Sequence, residues 1–492
     1  MNSFIKIASS IVCLSIATIF VFISSEEQAW GQKKNKQDGG GQKHIFTGPA
    51  PEHPHDIILA RPTSTSVTAS ILAYKEMKGF ISYGKEKGTL NNKTSVATFS
   101  PGMPFEFILK ELNPDTRYYY RLNTSPIKSN DFTAQDELTF QTQRKTGNPF
   151  KFTVQSDSHL DQSTRPAVYE RTLANCLIDN PDFHVDLGDT FMTDKYPNYK
   201  DSLPQYIAQR YYFSLIAKSA PLFLVLGNHD GERGDRYDEK SENMPTWSNL
   251  TRRKYFPNPF PDGFYTGNKS TIKPLNRLEN YYSWEWGDAL FIALDPFWYT
   301  QKRGGNKIDG NWVRTLGDSQ YKWLEKTLAD SKAAFKFVFI HHLVGGLDSS
   351  ARGGSEAAVL YEWGGKSPSG KDDFKLNRPD WKMPIHQLLS KYKVSAVLHG
   401  HDHFYAMQEL DDIVYLMVPQ PGHPGYDSKL RNVEEYGYIR GKFMPPAGHI
   451  RISVSPEKAV VDYVRAYLPQ SESADRKNGE IGHSFTLKPN KL

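Results

Sequence analysis

"FKFTVQSDSH", residues 150–159, begins as a β-strand and stops on an acid and an imidazole, Asp157-Ser-His159. Four other apolar runs end in the same manner. "FHVDLG" reaches Asp189, and "LFLVLG" reaches Asn228-His229-Asp230. "FKFVFI" stops at His341-His342, and "SAVLHG" at His401-Asp402-His403. In α/β sheets the carboxyl ends of the strands line the ligand crevice, so five such ends are expected to converge. Residues two apart on an extended chain face one side, which would let Asp157 with His159, and His401 with His403, each aim at one pocket. Gly188, Gly227 and Gly400 would permit the tight turns at the strand ends. Taken singly, a D-x-H or G-D is usually a surface accident or a turn. Five together are not.

The donor set narrows the chemistry. Asp157, His159, Asp189, Asn228, His341, His401 and His403 offer carboxylates, imidazoles and one amide, with no thiolate. Such donors suit zinc, manganese or iron. They also exceed what a single tetrahedral ion needs, and two ions sharing a bridging carboxylate would use them all. Paired metals roughly 3.5–4 Å apart stabilise the attacking and leaving oxygens of an in-line displacement at phosphorus.

Outward from these ends, strands alternate with helices from about residue 146 onward. "TRPAVYERTLANCLIDN" reads as a helix with Pro166 near its start. A second helix is expected near 204–217, and "YYSWEWGDALFIALD" reads as a hairpin. "DSQYKWLEKTLADSK" is expected to be a helix capped by Asp318, and "PIHQLLSKYK" precedes the strand "VSAVL". An antiparallel section, "HIRISVSPEKAVVDYVRAYLP", closes the domain. Residues 231–280, rich in Arg, Asp, Asn and Pro, read as an insertion or lid, and with 346–380 are expected to shape the pocket rim.

Upstream, residues 55–145 are strand-like, with "SVTASILAY", "FEFILKEL", "YYYRL" and "LTFQTQ" separated by turn signals such as "NPDT". Seven or so short strands suggest a β-sandwich, read as a spacer without chemistry. The fold class is therefore an N-terminal all-β sandwich over 55–145 followed by an α/β domain over 146–492.

At 492 residues the chain is too long for one typical core. Its formal charge of +5 is thinly spread, which gives no support to nucleic-acid binding. Lys6, the apolar run Ile7–Ile23 and the small pair Ala29 and Gly31 have the build of a signal peptide over 1–31, cleaved before Gln32. The alternative is an uncleaved anchor, because the run falls slightly short of the roughly 20 residues that span a bilayer. Residues 32–54, including "KKNKQDGGGQK", read as a flexible linker. No comparable apolar run follows, so no membrane contact is expected after cleavage. Of two cysteines, Cys13 lies in the signal, and Cys176 is expected to be buried and unreactive.

D-x-H, G-D, G-N-H-D, a strand ending in H-H, and G-H-D-H, in this order, resemble the calcineurin-like metallophosphoesterases over about 146–466. The stretch "ELNPDTRYYYRLNT…LTFQTQ" resembles a fibronectin type III domain, and that domain placed upstream is the layout of purple acid phosphatases. The resemblance implies a two-sheet sandwich flanked by helices. It also implies that Asp157, His159, Asp189 and His403 hold one metal, and that Asn228, His341 and His401 hold a second, with Asp189 bridging. Purple acid phosphatases carry a metal-binding tyrosine three residues after the bridging aspartate, where this chain has Met192. They lack the imidazole that is His159 here, and His159 can fill that coordination position. No purple colour is expected.

The implied reaction is in-line attack of a metal-bridging hydroxide on a small phosphate ester. His229 is the candidate proton donor to the leaving alkoxide, with Asp230 as its orienting carboxylate; a phosphate-binding role for His229 is the competing view. His342 and His423 are candidate substrate contacts. Arg233 reads as a solvated loop charge, and His399 as a strand terminus. A phosphomonoesterase is the first reading, with a phosphodiesterase or nucleotide pyrophosphatase on the same site as the alternative. From another class, a noncatalytic metal-dependent adhesion protein would be expected to show gaps in the ligand set. The sequence leaves open the metal pair, the oligomeric state, and a periplasmic against a secreted fate.

Overall fold

The computed structural model describes residues 44–302, 311–345, 352–425, 430 and 432–490. The signal and most of the linker read from the sequence lie outside these residues. Among the described residues no helix is long and apolar enough to cross a membrane.

The strands Phe150–Gln155, Phe183–Asp186 and Leu222–Leu224 are short, buried on both faces and joined by helices, which is the grammar of a parallel sheet. They pair in parallel, Phe152 opposite Phe183 and His184 opposite Leu222, so their carboxyl ends share one edge. Gly448–Ser455 joins the other side of Phe150–Gln155 in antiparallel register, followed outward by Lys458–Arg465 and Ile481–Leu487. In a second sheet Ala289–Ala293, Phe335–Phe339 and Ala396–His399 run parallel, flanked by Tyr282–Trp286 of the expected hairpin.

Alternation along these strands sorts the side chains into two faces. Phe152, Val154, Phe183 and Phe223 of the first sheet interdigitate with Trp284, Phe291, Phe337 and Phe339 of the second in one buried core. Phe223 stacks on Trp284 at 4.0 Å, and Phe152 meets Phe337 edge-on at 5.4 Å. The outer face of the first sheet is covered by the helices Pro166–Ile178 and Tyr199–Ala217, and that of the second by Gly317–Asp330 and Ile385–Lys391. The order is helix, sheet, sheet, helix. Cys176 lies on the buried face of the helix Pro166–Ile178.

Several local expectations are corrected. The second helix starts at Tyr199, not near 204, because Asn198 caps it by accepting from Asp201 N at 3.1 Å. Asp318 is no cap: the helix begins at Gly317, and the Asp318 carboxylate accepts the indole N–H of Trp381 at 2.6 Å. Residues 231–280 form scaffold rather than a lid. The helix Met244–Tyr255 carries Arg252, which is wholly buried in an ion pair with Glu232, Nε to Oε1 at 2.5 Å. Asn258 takes up both the N–H and the carbonyl of Leu224, so it extends the strand edge where a further strand would pair.

The upstream strands make a sandwich. His55–Ala60, Val67–Ala73 and Phe105–Leu109 form one layer, and Met77–Gly84 with Arg117–Ser125 and their shorter partners form the other. Ile57, Leu59, Ala69 and Ile71 pack between the layers against Ile81, Tyr120, Leu122 and Phe140. The first layer also continues the nine-stranded sheet of the α/β part, Ala60 pairing in parallel with Leu222. Arg210, buried on the helix Tyr199–Ala217, pins the junction by donating to Ser70 O at 3.0 Å and Tyr255 O at 2.6 Å. The end of the stretch read as linker is also packed, His53 lying edge-on to Tyr74 at 4.6 Å.

Candidate metal centre

The loops after the five strands meet at one end of the two sheets. Asp157, His159 and His403 present ligand atoms within 4.8 Å of one another, and Asp189, His341 and His401 form a second such group. Asn228 Oδ1 lies 3.1 Å from His341 Nε2. Asp189 Oδ2 stands between the groups, 3.8 Å from His159 Nε2 and 3.2 Å from His341 Nε2. Asp157 Oδ1 is 3.4 Å from His403 Nε2 and 4.0 Å from His341 Nε2. All seven candidate ligands are brought together.

They do not arrive on extended chain, as alternation had suggested. Asp157, His159, Asp189, His401 and His403 have φ of 62°, 51°, 55°, 82° and 69°, the left-handed region. A non-glycine residue held there costs about 1–3 kcal/mol and persists only where neighbours over-determine it. The left-handed steps also turn His401 and His403 into separate groups. Cross-bonds between the loops supply the restraint. Asp157 N donates to Gly188 O at 2.9 Å, His401 N to Asp157 Oδ2 at 2.9 Å, and His229 N to Asp189 Oδ1 at 2.8 Å. Of the three glycines, Gly188 alone needs a left-handed backbone, with φ +96°. Gly227 and Gly400 are there for space: a Cβ on Gly227 would lie 2.0 Å from Asp189 N, and one on Gly400 1.9 Å from Ser156 Oγ.

The carboxylate against His229 is Asp194, not Asp230. Both Asp194 oxygens lie within reach of His229 Nδ1, at 2.9 and 3.0 Å, while Nε2 sits 3.9 Å from Asp189 Oδ2. Asp230 is turned away and staples two loops, accepting from the backbone N–H of Gly227 at 2.7 Å, Thr190 and Phe191 at 2.9 Å, and Asp189 at 3.2 Å. Burial and the adjacent Asp189 carboxylate raise it to about 6. An isolated Asp eight residues after a strand end carries no periodic signal, which is why Asp194 escapes a sequence reading.

Other supports are equally invisible along the chain. Gln205 and Gln209, one helical turn apart, both donate to Thr190 O, at 3.3 and 2.8 Å. Gln205 also bonds His159 O, and Gln209 donates to Ser158 Oγ at 2.8 Å, so one helix face clamps two ligand loops. Asp402, between two ligands, points outward to Arg352 and to Tyr438, whose hydroxyl donates at 2.9 Å. His342 is buried beside His401, its ring edge-on to Phe297 at 5.0 Å. His423 is buried and accepts from Gly425 N at 3.0 Å; it belongs to neither ligand group. Arg233 pairs with Asp235 at 2.9 Å, and His399 ends its strand in the interior.

The electrostatics fit cations. Burial works against ionised Asp157, yet His403, with His159 and His341, holds it well below the usual carboxylate range. Asp189 is depressed in the same sense, burial being outweighed by His341 and His229. Burial would lower His341, but Asp189 and Asp157 carry it to about 9. His401 is instead pushed well below its ordinary value by burial and by His342. Asp157 Oδ1, His159 Nε2 and both ring nitrogens of His401 are buried with no hydrogen-bond partner. Buried polar atoms are seldom left so, and converging lone pairs of this kind match metal coordination.

A sequence model of the family described as calcineurin-like phosphoesterase matches residues 150–405. The chain belongs to that family. As a calcineurin-like phosphoesterase it is a metal-dependent hydrolase of phosphoric esters. Purple acid phosphatase 23 of Arabidopsis thaliana is 22% identical over 423 residues, covering 76% of this chain and 78% of the relative. Among solved structures, PhoD superposes with a TM-score of 0.60 at 14% identity, covering 90% of this chain and 94% of that one. The purple acid phosphatase PPD1 from yellow lupin (Lupinus luteus) seeds gives 0.53 at 16% identity, over 88% and 74%.

Proposed function

We propose that the protein is an exported phosphomonoesterase working with two metal ions. The observation that carries this reading is the position of Asp189, whose Oδ2 lies 3.8 Å from His159 Nε2 of one group and 3.2 Å from His341 Nε2 of the other. Asp157, His159, Asp189 and His403 would hold one ion, and Asp189, Asn228, His341 and His401 the other. When bound, such ions supply Lewis acidity, lowering the pKa of a water and neutralising phosphate oxygens as charge develops. Oxygen and nitrogen donors without thiolate favour iron, zinc or manganese. With Met192 buried where a tyrosinate would be needed, visible charge-transfer absorption is not expected.

His229 acts as the proton donor. Its Nδ1–H is donated to Asp194, which fixes the ring and leaves Nε2 on the ligand side, near Asp189, to protonate a departing alkoxide. Asp230, Gln205 and Gln209 hold the loops in place so that this geometry is preorganised. Preference for monoesters rests on the likeness to a purple acid phosphatase. Export rests on the composition of residues 1–31.

The test is metal analysis of purified protein together with turnover on aryl mono- and diesters. Two ions per chain, activity abolished by chelator, and loss of both ions and turnover in Asp189→Asn are the expected results. One ion per chain would sink the dinuclear reading, and faster turnover of diesters would make the protein a phosphodiesterase. Amino-terminal sequencing of protein recovered outside the cytoplasm checks export, with Gln32 expected first.

A further inference from the structure

Residues 44–48 belong to a stretch whose composition reads as linker, yet they lie along the loop that carries His159. Thr47 N donates to Leu160 O at 2.9 Å, and Thr47 Oγ1 to Asp161 O at 2.7 Å. Ile45 N donates to Gln162 Oε1 at 3.1 Å. The approach at Gly48 is so close that a Cβ there would meet Leu160 Cδ2 at 2.7 Å. The underlying loop is the most strained of the site, with left-handed φ at Asp157, His159 and Leu160. A loop of that kind keeps its form only under outside restraint.

Side chains extend the restraint to the ligand itself. His44 Nε2 lies 3.0 Å from Tyr196 Oη. The Tyr196 hydroxyl donates to Gln205 Oε1 at 2.6 Å, so it is the His44 N–H that donates to Tyr196. Gln205 in turn donates to His159 O. On the other side, Asp161 Oδ2 is 3.9 Å from His44 Nδ1 and 3.5 Å from His159 Nδ1. A carboxylate at Nδ1 keeps the proton there and leaves the Nε2 lone pair for a cation. His159 Nε2 faces Asp157 Oδ1 at 3.7 Å and Asp189 Oδ2 at 3.8 Å.

We propose that residues 44–48 are a strap that positions His159, so that His44 and Thr47 set the affinity of the ion held by Asp157, His159 and His403. This rests on the two-ion reading above, and the strap acts through His159 without touching an ion. Contacts of this order around a ligand are worth about 10–100-fold in metal affinity. Of the other ion's ligands, Asn228, His341 and His401 come from loops the strap does not contact and only the bridging Asp189 is shared, so its affinity should change far less than that of the first ion.

The experiment titrates chelator-stripped full-length protein with Mn²⁺ alone and reads the binding isotherm. The variants are Thr47→Val, His44→Ala and, as a control, Ile45→Ala, whose side chain is 54% exposed and whose backbone N–H is retained. His159→Ala identifies which step belongs to the first ion. Wild type and the control should give two steps. Thr47→Val and His44→Ala should weaken the His159 step by about tenfold or more and spare the other. His44→Asn, which keeps an N–H donor for Tyr196, should restore part of the loss even if His44→Ala folds poorly. Two unchanged steps in the strap variants would overturn the proposal, and so would equal weakening of both, which is general loosening. A single step in wild type refutes the two-ion reading instead, and the strap is then judged on that step: weaker binding supports it, no change overturns it.

Discussion

Replacing Asp194 by Asn tests whether His229 is held for proton transfer by the carboxylate that touches it. Both Asp194 oxygens lie 2.9–3.0 Å from His229 Nδ1, and their side chains are 18% and 24% exposed. A hydrogen bond to an ionised group is worth about 1.5–3 kcal/mol. Partial exposure and Lys195 Nζ, 3.8 Å from Asp194, place this one at the low end. Loss of about 1.5 kcal/mol from the transition state is roughly tenfold in kcat. The loss should fall on an alkyl phosphate, whose alkoxide must be protonated. With 4-nitrophenyl phosphate, a good leaving group, it should stay within about twofold. Removing the donor outright, in His229→Ala, should cost the alkyl substrate about 10²–10⁴. Because Asp194 acts through His229, the double variant should be no slower than His229→Ala alone. Steady-state kinetics on both substrates, with metal content checked for every variant, decide it. A further tenfold loss on adding Asp194→Asn to His229→Ala, or equal losses on both substrates, would refute the assignment.

Three other perturbations probe the frame around the site. Gly227→Ala places a Cβ 2.0 Å from Asp189 N without any left-handed strain, so metal binding should fall while far-ultraviolet circular dichroism stays unchanged; retained stoichiometry would count against the close-approach argument. Arg252→Ala leaves Glu232 buried and unpaired, a loss of about 3–5 kcal/mol that thermal unfolding should register, whereas a mobile lid would tolerate it. Asp295, raised to about 6 by burial, binds a proton more tightly folded than unfolded. Its contribution is therefore full at low pH and is lost as pH rises from about 4, the unfolded carboxyl value, to the folded value. Asp295→Asn should remove that part of the downward slope of thermal midpoint against pH, and an unaltered slope contradicts the assignment.

The sequence by itself singled out the candidate metal ligands, because each closes an apolar run and the strand ends of an α/β domain must gather along one edge. It also determined the alternation of strand and helix, the hairpin at 282–293 and the sandwich upstream, since these are local matters of periodicity and turn chemistry. Alternation along the chain paired His401 with His403, and only tertiary structure shows how the candidate ligands are divided as the family resemblance implies, through left-handed backbone at Asp157, His159, Asp189, His401 and His403 imposed by bonds between loops distant in sequence. It likewise chose Asp194 over Asp230 beside His229, turned the supposed lid into scaffold through Arg252, and laid residues 44–48 across the His159 loop. Each of these is a meeting of side chains from separate segments. Periodicity reports which face of one element is buried, and carries no record of what another element brings to it.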